Sequence, residues 1–307
     1  MLAEPVVEAR HVSKSFGNVR VLDDVSFEIQ RGEMVGLIGA SGSGKSTLIR
    51  LIAGLTPIDR ARDGSAGGNE ILLFARPIQQ RGRVARSANT LRARVGVVFQ
   101  QFNLVPRLSV LTNVCLGLLG RLPLLQATFG HFTSEEKRRA MRALARVGIA
   151  EHALKRGCDL SGGQQQRAAI ARTLTQGAEF IVADEPIASL DPGAARRVMD
   201  ILADLNRNDD ITVLVSLHQV EYALRYCPRT IALKDGRIAY DGPSSALTPE
   251  LLTALYGAES DELFASLNPP ALPHLHDAAR ADAHARNQPL PFDPARRAQG
   301  ERRQAHA

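Results

Sequence analysis

Apolar positions recur with two different periods along the N-terminal part of this chain, and each change of period marks a change of element. Residues 6–12 and 25–29 alternate or cluster apolar and β-branched side chains between turns containing Gly and Asp, which predicts short strands. Met34-Val35-Gly36-Leu37-Ile38 is a continuous apolar run ending at glycine, the pattern of a buried strand. Leu48, Ile49, Leu51 and Ile52 then fall at helical spacing, and Gly54 and Pro57 stop them, so residues 45–53 are predicted as a helix.

Further along, residues 59–94 are rich in Arg and Gly around one apolar island, Glu70-Ile71-Leu72-Leu73-Phe74. This predicts a strand within a basic, loosely ordered arm. Residues 94–99 read as another strand. A helix is predicted over 134–147, with Ser134, Glu135 and Glu136 in its first turn, and another over 164–174. Phe180-Ile181-Val182-Ala183 and residues 211–217 suit buried parallel strands separated by a helix near 194–205. Strands alternating with helices indicate an α/β chain with a parallel sheet. Beyond Glu259 the composition turns to Ala, Arg, His and Pro. Its histidines, His274, His276, His284 and His306, lack the i, i+4 spacing of a helical metal site. A disordered tail is expected over 258–307.

Composition narrows the partners only in part. The 307 residues can bury a real core and form one large or two modest domains. With 38 Lys and Arg against 32 Asp and Glu, the chain is basic, which suits nucleic acid, an anionic membrane surface or a phosphate-bearing ligand alike. Scarce aromatics and the absence of Trp weigh against base stacking. Cys115, Cys158 and Cys227 follow no metal spacing and are expected as thiols in a reducing compartment. No secretory signal and no apolar run near the roughly 20 residues of a membrane span is visible, so any membrane role is expected from the surface.

Two segments carry the chemistry. In Gly39-Ala40-Ser41-Gly42-Ser43-Gly44-Lys45-Ser46-Thr47, between a strand and a helix, glycines let backbone N–H groups turn inward around phosphate oxygens. Lys45 then neutralises β- and γ-phosphate charge, and the Ser46 hydroxyl is a Mg²⁺ ligand. The second is Leu160-Ser161-Gly162-Gly163-Gln164, which precedes a helix. It reads either as an ordinary N-cap or as a second phosphate-binding loop. Asp184 and Glu185 emerge at the C-terminal end of a strand, where open α/β sheets bind ligands; Asp184 is placed to hold Mg²⁺ through water and Glu185 to polarise an attacking water. His218 also ends a strand, where it is either structural or a γ-phosphate contact. Gln100 could reach Mg²⁺ or the water, and Phe16 is either core or an adenine-stacking ring.

Taken in order, Phe16, the loop 39–47, Gln100, Leu160-Ser161-Gly162-Gly163-Gln164, Asp184-Glu185, Ala188-Ser189-Leu190-Asp191 and His218 resemble the full motif set of ABC-transporter ATPase subunits over about residues 6–257. The resemblance implies a P-loop NTPase core with an N-terminal antiparallel β subdomain and a helical subdomain inserted at about 101–161, in an ATPase domain spanning 1–257. It implies ATP and Mg²⁺ as ligands. Phe16 becomes the adenine-stacking aromatic, Gln100 the residue that senses a membrane partner, Glu185 the general base and His218 the switch histidine. Ser161 and Gly163 would close on the γ-phosphate of ATP held by a second copy, with Asp191 at the dimer interface. The segments Phe99-Gln100-Gln101-Phe102-Asn103-Leu104-Val105 and Leu217-His218-Gln219-Val220, the basic arm Gly82-Arg83-Val84-Ala85-Arg86 and the insertion at 122–132 are similar to the phosphonate importer ATPases. That likeness implies membrane permease subunits and, indirectly, a periplasmic substrate-binding protein as partners, no nucleic acid, and a peripheral place on the cytoplasmic face of the inner membrane. Import of amino acids, lipoprotein release or a soluble nucleic-acid-associated ATPase are the alternative readings.

Overall fold

Strands β1 (Pro5–Phe16) and β2 (Val19–Gln30) pair antiparallel across the turn at Gly17. Both run past the predicted apolar clusters, because register shifts around His11, whose φ is 50°, carry the pairing across polar residues. β3 (Met34–Ile38) and α1 (Lys45–Ile52) follow where the apolar pattern predicts them. The structure, a computed structural model, describes residues 4–60, 69–122 and 130–257. The chain divides into two units, Met1–Leu263 and Phe264–Ala307, and every described residue lies in the first. The tail expected to be disordered, and residues 123–129 of the insertion, lie outside the described residues.

The arm predicted as loosely ordered is, from residue 69 on, folded. β4 (Glu70–Leu73) pairs with β1, β5 (Arg76–Gln80) with β4, and β6 (Arg83–Val84) with β5, before a short helix α2 (Ala88–Arg92). Phe74 leaves the predicted strand with a φ of 52° and starts the turn into β5. Packing orders the arm from one side. Ile71, Leu73 and Ile78 are fully buried, and the buried Gln79 accepts from the Ile58 N–H at 2.9 Å and donates to the Thr56 carbonyl at 3.0 Å. Arg76, Arg81, Arg83 and Arg86 stay exposed, so composition overstated how open the segment is.

A second sheet begins with β7 (Val95–Val98) and takes β8 (Phe180–Asp184), β9 (Thr212–Ser216), β10 (Arg229–Lys234) and β11 (Arg237–Pro243). Its order is β11-β10-β3-β9-β8-β7, parallel except for the edge strand β11. β3, β8 and β9 are buried at every residue, as parallel strands covered on both faces must be. Between β7 and β8 the chain builds a helical region in which α3 (Val110–Cys115), α4 (Ser134–Arg146) and α5 (Gly162–Gln176) pack together. α6 (Pro192–Asp209), α7 (Val220–Tyr226) and α8 (Pro249–Tyr256) complete the α-helices among the described residues, beside a few short helical turns. Apolar residues of β1, β2, α1, β3, β8, β9 and β10 form one core that joins the two sheets. Among the described residues, no helix is long and apolar enough to cross a membrane.

Candidate functional site

β3 stops at Ile38, and residues 39–44 carry the chain over the C-terminal edge of the sheet into α1. Gly39 is required there: its φ is 145°, and a Cβ would lie 2.2 Å from the Leu233 carbonyl oxygen. Its N–H donates to the Tyr256 hydroxyl of α8 at 3.1 Å, which pins the loop to the far end of the unit. Lys45, only 5% exposed, curls back so that Nζ donates to the carbonyls of Gly39 at 2.7 Å and Ala40 at 3.1 Å. Ser43 Oγ is buried without a hydrogen-bond partner among the described residues. Ser41 and Gly42 are exposed, Gly44 caps α1, and Ser46 and Thr47 are half-buried in its first turn. A helix N-terminus, a held ammonium and an unused hydroxyl make a cradle suited to an anion with several oxygens.

Asp184 ends β8 and is buried beside this cradle. The Ser46 hydroxyl donates to its Oδ1 at 3.0 Å, and the Ser216 hydroxyl of β9 donates to the same oxygen at 3.0 Å. Ser216 Oγ in turn accepts the Glu185 N–H at 2.8 Å. Residues 184 and 216 are partners in the β8–β9 register, so one hydroxyl ties both strand ends together and sets where Glu185 leaves the sheet. Glu185 takes a φ of 46°, a sparsely populated conformation of the kind found at functional sites. Glu185, Ser216 and His218 line one cavity of about 240 Å³. Among the described residues no group of three or more His, Cys, Asp or Glu gathers as a metal cage. The hydroxyl–carboxylate pair of Ser46 and Asp184 fits instead a small hard cation that keeps water and phosphate ligands.

The second glycine-rich segment opens α5. Ser161 is its N-cap and forms a capping box with Gln164: the Ser161 N–H donates to Gln164 Oε1 at 2.9 Å, and the Gln164 N–H to Ser161 Oγ at 3.4 Å. The ordinary N-cap reading therefore holds, and it leaves Ser161 exposed. Gly163 packs so closely on α6 that a Cβ would lie 2.8 Å from Ala194 Cβ, and the half-buried Gly162 sits between Leu190 and Phe102. Asp191 caps α6, accepting the Ala194 N–H at 2.9 Å, and is itself exposed. Ser161 and Asp191 are thus both exposed helix caps, on α5 and α6, which meet through Gly163 and Ala194. Next to them Gln100, exposed just beyond β7, lines a cavity of about 530 Å³ with Phe102, Gln165 and Ser189. Phe16, at the end of β1, is 53% exposed with Lys14 Nζ 5.2 Å from its ring centre, so the core reading for this ring falls away.

Residues with no advance signal also shape the site. Ser216 shares its strand with a second buried hydroxyl, Thr212, so the sequence alone does not single it out. Asn113 is fully buried and holds the loop after Gln100, accepting the Val105 N–H at 2.7 Å and donating to the carbonyls of Val105 and Ser109. Arg172, from α5, donates to the Asn103 carbonyl at 2.7 Å. No local pattern announces such contacts, nor that of Tyr256.

A family model described as ABC transporter matches residues 22–188. The phosphonates import ATP-binding protein PhnC of Stutzerimonas stutzeri is 59% identical over 255 residues, 83% of this chain and 91% of that protein. The PhnC of Caulobacter vibrioides is 53% identical over 264 residues, 86% of this chain and 98% of that protein. Among solved structures, the dimeric bacterial ABC transporter cassette MJ0796 superposes with a TM-score of 0.66 at 32% identity, covering 78% of this chain and all of that one. Its post-hydrolysis state, bound to ADP and Pi, superposes with a TM-score of 0.64 at 33% identity over the same share of each chain.

Proposed function

The chain belongs to the ABC transporter family, and from that premise we propose that it is the ATP-hydrolysing subunit that energises phosphonate import across the cytoplasmic membrane. The observation that carries the reading is the pairing of an anion cradle at Gly39–Lys45 with a separate glycine-rich loop at Ser161–Gly163, exposed at Ser161, in one chain. One nucleotide needs only one cradle, so the second loop serves the ATP of another copy. Relatives named for phosphonates import, matched over nearly their whole length, support the cargo class.

In this reading residues 1–257 form the ATPase domain, with the helical subdomain inserted at about 101–161. Backbone N–H groups of Gly42, Ser43 and Gly44 and the end of α1 receive phosphate oxygens, and Lys45 exchanges its loop carbonyls for the β- and γ-phosphates. Phe16 stacks on adenine. Ser46, Gln100 and, through water, Asp184 would hold Mg²⁺. There Mg²⁺ would supply positive charge that neutralises the phosphates. Glu185 takes the proton of the attacking water, while His218, in the same cavity, meets the γ-phosphate. Ser161, Gly162, Gly163 and Gln164 complete the site of the second copy, with Asp191 at the joint between them. The cavity at Gln100–Leu104 receives a membrane permease subunit, which couples hydrolysis to cargo delivered by a periplasmic binding protein.

The test is ATPase activity of the chain assembled with its co-purified permease subunits in lipid nanodiscs, with a phosphonate-binding protein added. Stimulation by the phosphonate-loaded protein, and none by an amino-acid-loaded one, is expected. Equal stimulation by both, or failure to co-purify with any membrane subunit, contradicts the assignment.

A further inference from the structure

The Ser161 capping box does not end at Gln164. The Gln164 side-chain nitrogen lies 2.8 Å from His152 Nε2, on the short helical turn Ala150–His152. The direction of each bond in this chain is fixed by chemistry. The Ser161 N–H can only donate, so the oxygen of the Gln164 amide faces it, and the NH₂ group faces the imidazole. An amide NH₂ has no lone pair to offer, so Nε2 must be the acceptor. The imidazole is therefore neutral, with its proton on Nδ1. That nitrogen is buried with no partner among the described residues, so the contact with Gln164 orients the ring.

We propose that His152 is a positioning residue of the Ser161–Gly163 loop, a proton-sensitive latch that holds the loop in its ATP-receiving shape only while the imidazole is neutral. A second proton would set an Nε2–H against the Gln164 NH₂. Two relaxations relieve the clash. The amide turns over and sets its NH₂ against the Ser161 N–H, or the ring swings to the Glu151 carboxylate, whose oxygen lies 3.4 Å from Nε2. Either movement opens the capping box at Ser161. Glu151 lies on the same turn, and Arg167 of α5 interacts electrostatically with that Glu151 and with Arg197 of α6. Arg146 of α4 is engaged with Asp204 and Asp209. The inference rests on the reading that Ser161 and Gly163 close on the ATP of a second copy, and it adds that this closure is gated by pH.

Two measurements on the full chain test it. Nitrogen-15 NMR of the imidazoles, assigned with His152→Gln, should show His152 as the Nδ1–H tautomer at neutral pH; an Nε2–H tautomer there overturns the latch whatever the protein transports. ATPase assays across pH then compare three variants. His152→Lys, a donor where an acceptor is needed, should lower kcat at neutral pH by about fivefold, the scale of one lost hydrogen bond, with ADP affinity of the Lys45 loop unchanged. His152→Gln, which offers a non-titrating acceptor oxygen, should rescue turnover relative to His152→Ala and flatten the acid limb of the profile. Superimposable acid limbs for wild type and His152→Gln, or full turnover in His152→Lys, overturn the proposal.

Discussion

The hydroxyl of Ser46, in the first turn of α1, donates to the carboxylate of Asp184 at the end of β8 across 3.0 Å, although 138 residues separate them. This bond joins the anion cradle to the strand that delivers Glu185, so in the proposed mechanism the groups that receive phosphate and activate water share one corner of the sheet. Ser216 completes the corner by bonding Asp184 and Glu185 at once.

Ser216→Ala removes the acceptor for the Glu185 N–H and a donor to Asp184. Leaving such groups without a partner costs about 1–3 kcal/mol, so the variant should unfold at a lower denaturant midpoint. Its kcat should fall more than its ATP affinity, since the cradle itself is untouched. Denaturation curves together with steady-state kinetics check this, and an unchanged kcat would remove Ser216 from the positioning of Glu185.

Lys45→Ala deletes the ammonium held above the loop. Charge-assisted hydrogen bonds are worth about 1.5–3 kcal/mol, so ATP affinity should drop by roughly ten- to a hundredfold. Calorimetric titration with ATP is the direct check. Affinity near that of the wild type would mean that the lysine faces no phosphate.

The three cysteines should differ sharply in reactivity. Burial pushes the Cys115 thiol up to about 11 and the Cys227 thiol up to about 12, whereas Cys158 is exposed three residues before Ser161. Thiol titration should find one reactive group in the native protein and all three after denaturation. A bulky label on Cys158 should also block ATP-dependent pairing of two copies while leaving nucleotide binding intact.

Acid should weaken the start of the parallel sheet. Arg94 bonds Glu179 through two nitrogens, at 2.6 and 2.8 Å, and with Arg31 holds that carboxyl below its usual value of 4.5. A carboxylate whose folded value is depressed stabilises the fold above the ordinary glutamate range, and the stabilisation is lost as pH falls through the folded value. Glu179→Gln should therefore lower the melting temperature at neutral pH, and the gap should close below about pH 4.5. The pair is partly exposed, so after solvent screening the effect should be on the order of 0.5 kcal/mol.

Legibility in the sequence followed burial. β3, β8 and β9 are covered on both faces, so β3 and β8 appear as apolar runs and β9 as a Val-Leu-Val core between Thr212 and Ser216. β5, β6 and β11 lie toward sheet edges with outward-facing polar residues, and β11 alternates exposed and half-buried positions, so composition hid them. The loop at Gly39–Lys45 and the strand ends carrying Asp184, Glu185 and His218 are candidates from the sequence, and the fold brings Ser46 to Asp184 and puts Glu185 and His218 in one cavity. Ser216, Asn113, Arg172 and Tyr256 act through contacts made only once the chain has folded. The Tyr256 contact with Gly39 spans 217 residues, and no local pattern encodes it.

The central claim is that this chain works as a pair, with Ser161 and Gly163 of one copy closing on the ATP held by Lys45 and Ser46 of the other. Glu185→Gln should leave ATP binding intact while removing the proposed general base, and loss of such a base typically costs about 10²–10⁴-fold in rate. Light scattering of this variant should report a dimer with ATP and a monomer with ADP, and adding Ser161→Arg should return the ATP-bound form to a monomer. A Glu185→Gln chain that binds ATP yet stays monomeric, or one that hydrolyses ATP at the wild-type rate, would contradict the account.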